Sequence, residues 1–168
     1  VLDVDLLGAL LTARAFLAAL AADGPHADGG GATVTLVGST AGRFGERDHV
    51  EYAAAKAGLR GATSSLKNEI ARLDPEGRVN LLEPGWVATE MAAGTLADRD
   101  TVRRVLSTAA RRRVATPGDV AAAAVWLASP RAARHVTGEA ITLAGGMEGR
   151  RLWRDDEIDP DAAVPDEP

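Results

Sequence analysis

The stretch from Thr33 to Gly85 leaves this chain few possible folds. Thr33-Val34-Thr35-Leu36-Val37 is an apolar, β-branched run of strand length. Tyr52 to Leu73 is alanine-rich with helical periodicity and carries Leu59, Ala62, Leu66, Ile70 and Leu73 on one face. Asp74-Pro75-Glu76-Gly77 stops that helix, and Arg78 to Glu83 (RVNLLE) reads as the next strand, closed by Pro84-Gly85. Strand, helix, strand in this order is a βαβ unit, which requires parallel pairing and a right-handed crossover. Glu139 to Leu143 is a last short strand before Gly145-Gly146. The expected fold class is α/β, a three-layer arrangement with parallel strands near 33–38, 78–83 and 140–144 and helices on both faces.

The rest of the chain fits around that unit. Leu6 to Ala22 is apolar on nearly every face, which suits a helix buried on more than one side. As a membrane span it would place Arg14 mid-bilayer at a cost of about 2.5–3.5 kcal/mol, and Asp3 and Asp5 stand where a signal peptide carries positive charge. Asp23 to Gly31 reads as a loop, and its GGG is no phosphate-binding fingerprint, because it enters a strand instead of leaving one for a helix. Thr89 to Ala110 reads as one moderately helical stretch, placed to act as a mobile cover, and Val120 to Ala128 as a further helix. From Arg154 on, the acidic, Pro-containing tail has too little apolar content to pack. The division expected is 1–149 as the folded domain and 150–168 as a disordered tail.

Charge and composition exclude several functions. The net charge is −5, but seven acids and no base lie in the last fourteen residues, so the body is near neutral with no large basic patch for nucleic acid. The triple Arg111-Arg112-Arg113 reads as a solvated loop or helix end. There is no cysteine, hence no disulfide and no thiol catalysis, and the three histidines (His26, His49, His135) show no metal-ligand spacing. No metal, membrane or nucleic-acid partner is expected.

The chemistry sits between Ser39 and Lys56. Ser39 falls at the carboxyl end of the first strand, where open α/β sheets place their ligands. Tyr52 and Lys56 lie four apart, so both project from one helix face. A lysine ammonium beside a phenol favours the phenolate and lowers a tyrosine pKa from its reference near ~10. The phenol then trades a proton with a substrate oxygen near neutral pH, while a serine hydroxyl hydrogen-bonds the same oxygen. A Tyr–Lys pair at this spacing is also an ordinary solvated surface contact, and Pro84-Gly85 is also an ordinary strand-ending turn.

Ser39 precedes Tyr52 by 13 positions and Lys56 follows it by four; VNLLEPGWVATEM at 79–91, TPGDVAAAAVWLAS at 116–129 and VTGEAITLAGGM at 136–147 come after in order. Together these resemble the catalytic half of a short-chain dehydrogenase/reductase, over about residues 1–147. The resemblance implies a Rossmann-like fold and an NAD(P)-dependent oxidoreductase interconverting a carbonyl and a secondary alcohol, cytoplasmic, with NAD or NADP as cofactor. It implies Tyr52 as proton donor or acceptor, Ser39 as the group orienting the carbonyl, and Lys56 as partner of the tyrosine and of the nicotinamide ribose. Pro84, Gly85, Val87 and Thr89 would contact the nicotinamide. Gly42, Gly58 and Asn80 match structural positions; Phe44, Val50, Trp86 and Met91 are candidates for a substrate pocket or for packing. The helices near 3–22 and 52–73 match those that pair in the family's dimers, which implies a homo-oligomer.

The departures matter as much. The Gly-rich TGxxxGxG turn that holds the pyrophosphate has no counterpart in these residues, nor has the Asn-Ala-Gly strand. Asp5 stands where the family carries an asparagine near the lysine, and Ala144 where it often has Asp or Asn. The first residue is Val1, which fits either a non-standard start codon or the cut end of a longer chain. Two alternatives therefore stay open: a truncated or split member without activity of its own, acting as a subunit or pseudoenzyme, and a dimerisation module built from the two long helices.

Overall fold

A computed structural model describes residues 1–25 and 29–165. Residues 26–28 of the expected loop and 166–168 of the expected tail lie outside the described residues. Three parallel strands, β1 (Thr33–Val37), β2 (Arg78–Pro84) and β3 (Ala140–Leu143), form one sheet in that spatial order, with flanking helices in a Rossmann-like fold. β1 and β2 pair from Thr33↔Arg78 to Val37↔Leu82. The long α3 (Val50–Leu73) is the crossover between them. Its expected apolar face is the packed one: Leu59 and Ile70 are fully buried, with Ala62, Leu66 and Leu73 against the same clusters.

Contacts gather the chain into two units, residues 1–83 with 123–141, and 84–122 with 142–168. In the first, a π-helical turn (Asp3–Gly8) runs into α1 (Ala9–Asp23), which packs Leu17 and Leu20 against Ile70 and Val79. Within one chain Ala13, Leu17 and Leu20 are covered, whereas Val4, Leu7, Leu11 and Phe16 face outward. A helix packed along a single stripe can bury only about a third of its circumference, however apolar the remainder. Asp3–Asp23 is long and apolar enough to cross a bilayer by length and composition alone.

The second unit has its own core of Ala88, Leu96, Val102, Leu106, Val114, Ile158 and Ala163. Two expectations change here. Thr89 to Ala110 is two helices, α4 (Glu90–Leu96) and α5 (Arg99–Leu106), because Asp98 accepts from the Asp100 amide and from the Thr101 hydroxyl and so begins a new helix. Those hydrogen bonds, the Thr101 hydroxyl foremost, hold the Asp98 carboxyl below the usual carboxylate range. Val102 and Leu106 are core residues, so α5 is packed.

The tail from Arg154 packs as well. Its apolar residues are few, but Ile158, Pro160 and Ala163 are spaced so that all three are buried around a 3-10 turn (Asp155–Glu157) and a short helix, α7 (Pro160–Ala163). The Val114 amide donates to the Ala163 carbonyl, and Trp153 lies beneath Arg112 with its Nε1 donating to the Ala109 carbonyl. Asp161 and Asp155 pair with Arg99 and Arg151. Mean composition understates a segment whose few apolar side chains share one face.

Arg78 shows how the first unit is tied off behind the sheet. It is buried at the start of β2, and burial pushes its guanidinium below the ordinary arginine value. Its two terminal nitrogens donate to the carbonyls of Leu127 and Ala133 (2.5 and 3.0 Å) and of Ala128 and Ser129 (3.3 and 3.4 Å). Two of these, Leu127 and Ala128, are the last carbonyls of α6 (Pro117–Ala128), and the other two lie in the segment that follows it. Arg78→Met would strand these acceptors; the expected loss is about 2–4 kcal/mol, read as a lower urea midpoint at unchanged slope.

Candidate functional site

Why Lys56 stands where it does follows from three close packings in the first unit. Leu6 lies over Gly58, where a β-carbon would come within 3.1 Å of it, and this brings the neighbouring Asp5 to α3. α2 (Ala41–Phe44) presses Gly42 against the backbone of Lys56 and Ala57, with an ideal β-carbon only 2.6 Å from the Ala57 nitrogen. α3 itself lies along β1. The Lys56 ammonium ends between Asp5, 3.1 Å away, and the Val37 carbonyl at 3.2 Å, with its side chain only 13% exposed. It also lies 5.6 Å from the centroid of the Tyr52 ring, one turn back on the same helix.

Ser39 follows Gly38 at the carboxyl end of β1 and is half-buried. Its Oγ accepts from the Ala41 amide at 3.1 Å, which starts α2 and leaves its own proton to donate. Tyr52 occupies the first turn of α3, also half-buried. Lys56, Tyr52 and the strand end that leads to Ser39 are thus gathered in one unit. Asp5 and Lys56 also line a groove of about 450 Å³ running past Val4, Phe16 and the residues of β1.

The other four named residues lie in the second unit, along one segment. Pro84 ends β2, and the Gly85 amide donates to the Leu143 carbonyl at 3.0 Å. Val87 bridges to Ala115. Thr89 caps α4, its side chain accepting from the Ala92 amide. A cavity of about 280 Å³ lies within this unit, lined among others by Trp86, Leu106, Arg111, Val114 and Met147. Of the pocket candidates only Trp86 touches it; Met91 is 96% exposed. The three arginines are exposed as expected, and Arg113 pairs with Asp119. Hydrogen bonds from Thr116, aided by Arg113, hold the Asp119 carboxyl below its usual range. Among the described residues no group of acids and histidines is placed to hold a metal.

One pair escaped sequence reading. Glu83, at the carboxyl end of β2, is fully buried, and Arg60 grips it with both prongs of its guanidinium, Nε to Oε1 at 2.6 Å and Nη2 to Oε2. A charged residue directly after the apolar pair Leu81-Leu82, with an arginine one turn beyond Lys56, was the available signal. Asn80 is buried too, its amide donating to the Val136 carbonyl and its oxygen accepting from the Glu139 amide.

A family profile described as Enoyl-(Acyl carrier protein) reductase matches residues 1–148. Fold and match together show that the chain belongs to the short-chain dehydrogenase/reductase family. It is 39% identical over 111 residues to 3-oxoacyl-(acyl-carrier-protein) reductase FabG of Vibrio harveyi, covering 66% of this chain and 43% of that protein. It is 36% identical over 149 residues to carbonyl reductase family member 4 of Danio rerio, covering 88% and 55%. The crystal structure of a 3-oxoacyl-(acyl-carrier-protein) reductase from Brucella melitensis superposes with a TM-score of 0.73 at 28% identity, covering 85% of this chain and 50% of that one. The chain spans about half the length of the curated relatives it matches.

Gly42→Ala tests the packing that seats Lys56. The added methyl group meets backbone, which cannot swing aside. The expected cost is about 1–3 kcal/mol, measured as a fall in the thermal midpoint, with Gly61→Ala on the open side of α3 as the control.

Proposed function

We propose that Ser39, Tyr52 and Lys56 form the proton-transfer site of an NAD(P)-dependent oxidoreductase interconverting a carbonyl and a secondary alcohol in the cytoplasm. The observation that carries this reading is the placement of the Lys56 ammonium beside the Tyr52 ring, held there by Asp5 and the Val37 carbonyl. In the reductive direction the Tyr52 phenol gives its proton to the substrate oxygen, and the Ser39 hydroxyl donates a hydrogen bond to that oxygen as charge develops on it. In the oxidative direction both roles reverse.

The donor set fits the nicotinamide-ribose end of such a cofactor. A lysine ammonium has three N–H donors; Asp5 and Val37 engage two, and the third remains for a ribose hydroxyl. Tyr52 and Lys56 would hold the ribose, and Pro84, Gly85, Val87 and Thr89 the nicotinamide. The cofactor supplies the hydride when bound. The pyrophosphate finds no Gly-rich strand-to-helix turn in this sequence, and this favours a second reading: residues 1–168 alone turn over poorly or not at all. Misplacing a reacting group by about 1 Å costs on the order of 100-fold.

The experiment titrates residues 1–168 with NADH and NADPH by fluorescence and assays simple ketones. Turnover that falls by about 100-fold or more in Tyr52→Phe supports the first reading; turnover indifferent to that change overturns it. Absence of turnover, with activity gained when a family member's Gly-rich cofactor segment is fused ahead of Val1, supports the second.

Association belongs to the same proposal. Val4, Leu7, Leu11 and Phe16 present apolar surface from the first helix, and β1 has an open outer edge in the sheet. The expected state is a dimer through the helices near 3–22 and 52–73. Light scattering at micromolar concentration checks it, and a monodisperse monomer contradicts it.

A further inference from the structure

The Arg60–Glu83 pair joins three parts of the first unit at one point. Glu83 is the next-to-last residue of β2, a strand buried along its whole length. Its Cγ lies 3.3 Å from where a Gly38 β-carbon would stand, and Gly38 precedes Ser39. The Gly38 amide donates to the Leu82 carbonyl at 2.7 Å, so the turn into Ser39 rests on the residue before Glu83. Arg60 comes from α3, where Tyr52, Lys56 and Arg60 follow at intervals of four and share one stripe. Helix α3 therefore carries two polar ties to the carboxyl ends of β1 and β2, one turn apart: Lys56 to the Val37 carbonyl, and Arg60 to Glu83.

A wholly buried carboxylate is a poor way to gain stability, since well-packed apolar residues of similar size often do as well or better. What a two-pronged guanidinium–carboxylate contact supplies is direction, because both nitrogens and both oxygens must meet in one plane. Apolar contacts between α3 and the sheet, such as Leu59 on Leu36 and Leu81, tolerate sliding far better. We propose that Arg60 and Glu83 are positioning residues. They set the height of α3 against the strand ends, and so hold Lys56 at Val37 and present Tyr52 and Lys56 to the Ser39 turn. The inference rests on the reading of Ser39, Tyr52 and Lys56 as the proton-transfer site.

Its test needs neither cofactor nor turnover. The chain has two lysines, Lys56 and Lys67. Lys67 lies eleven residues further along the same helix and reaches Asn68 on the solvent side, so it serves as the internal reference. Mild acetylation of residues 1–168 is followed by mass spectrometry, and the ratio of Lys56 to Lys67 modification reports how firmly the Lys56 ammonium is held. Two variants are compared with the parent: the double Arg60→Met/Glu83→Leu, which removes both charges, and Arg60→Lys, which keeps the charge and loses the fork. The expected result is a rise in the ratio of about threefold or more in the double variant and a smaller rise in Arg60→Lys, at near-parental thermal midpoints. Folded variants with an unchanged ratio overturn the proposal, and so does a parallel rise at both lysines, which would mean general loosening. If the double variant does not fold, Arg60→Lys decides by the same criterion. Failure of the oxidoreductase reading would show in the Tyr52→Phe and cofactor experiments and leave these ratios untouched.

Discussion

The parallel pairing of β1 with β2 is the constraint on which the rest of the first unit depends. Two parallel neighbours point their carboxyl ends the same way, and the crossover that joins them must return as a helix over one face. In this chain that helix is α3, and the register from Thr33↔Arg78 to Val37↔Leu82 brings Gly38 beside the end of β2. Everything polar that matters then meets at one end of the sheet. Lys56 reaches the last carbonyl of β1, Ser39 turns away from it into α2, and Glu83 closes β2 under Arg60.

Apolar packing fixes the distances and polar contacts fix the directions. Leu59, Ile70, Val79 and Leu81 are wholly buried between helix and sheet. Small residues at Gly42 and Gly58 let α2 and the first helical turn approach α3 closely enough for Asp5 to pair with Lys56. For an ammonium so enclosed, the Asp5 carboxylate and the Val37 carbonyl take the place of hydrogen bonds to water. Asp5 is therefore part of the reason that Lys56 can stand at a half-buried position at all. An asparagine there would offer a hydrogen bond without the opposite charge.

The second unit solves a different problem with the same means. Its helices are short and its sequence rich in arginine and acids, yet it buries a core around Val102, Leu106 and Val114. The acidic tail contributes Ile158 and Ala163 to that core and spends its carboxylates on Arg99, Arg151 and Arg154. These are exposed pairs that each add little stability.

The sequence by itself determined the class of fold and the candidate chemistry. Strand composition at 33–37 and 78–83, one apolar helical stripe between them and a Tyr–Lys interval of four are local patterns, and local patterns survive translation into structure because backbone periodicity enforces them. The same locality explains the misreadings. Whether Leu7, Leu11 and Phe16 are covered depends on what lies against them, and whether Ile158 packs depends on Val114 and Leu106, more than forty residues away. Only the tertiary structure decided that Glu83, a residue that reads as the polar end of a strand, is sealed beneath Arg60. No periodicity within either segment encodes that pairing, since it is made by the crossover that lays one segment on the other.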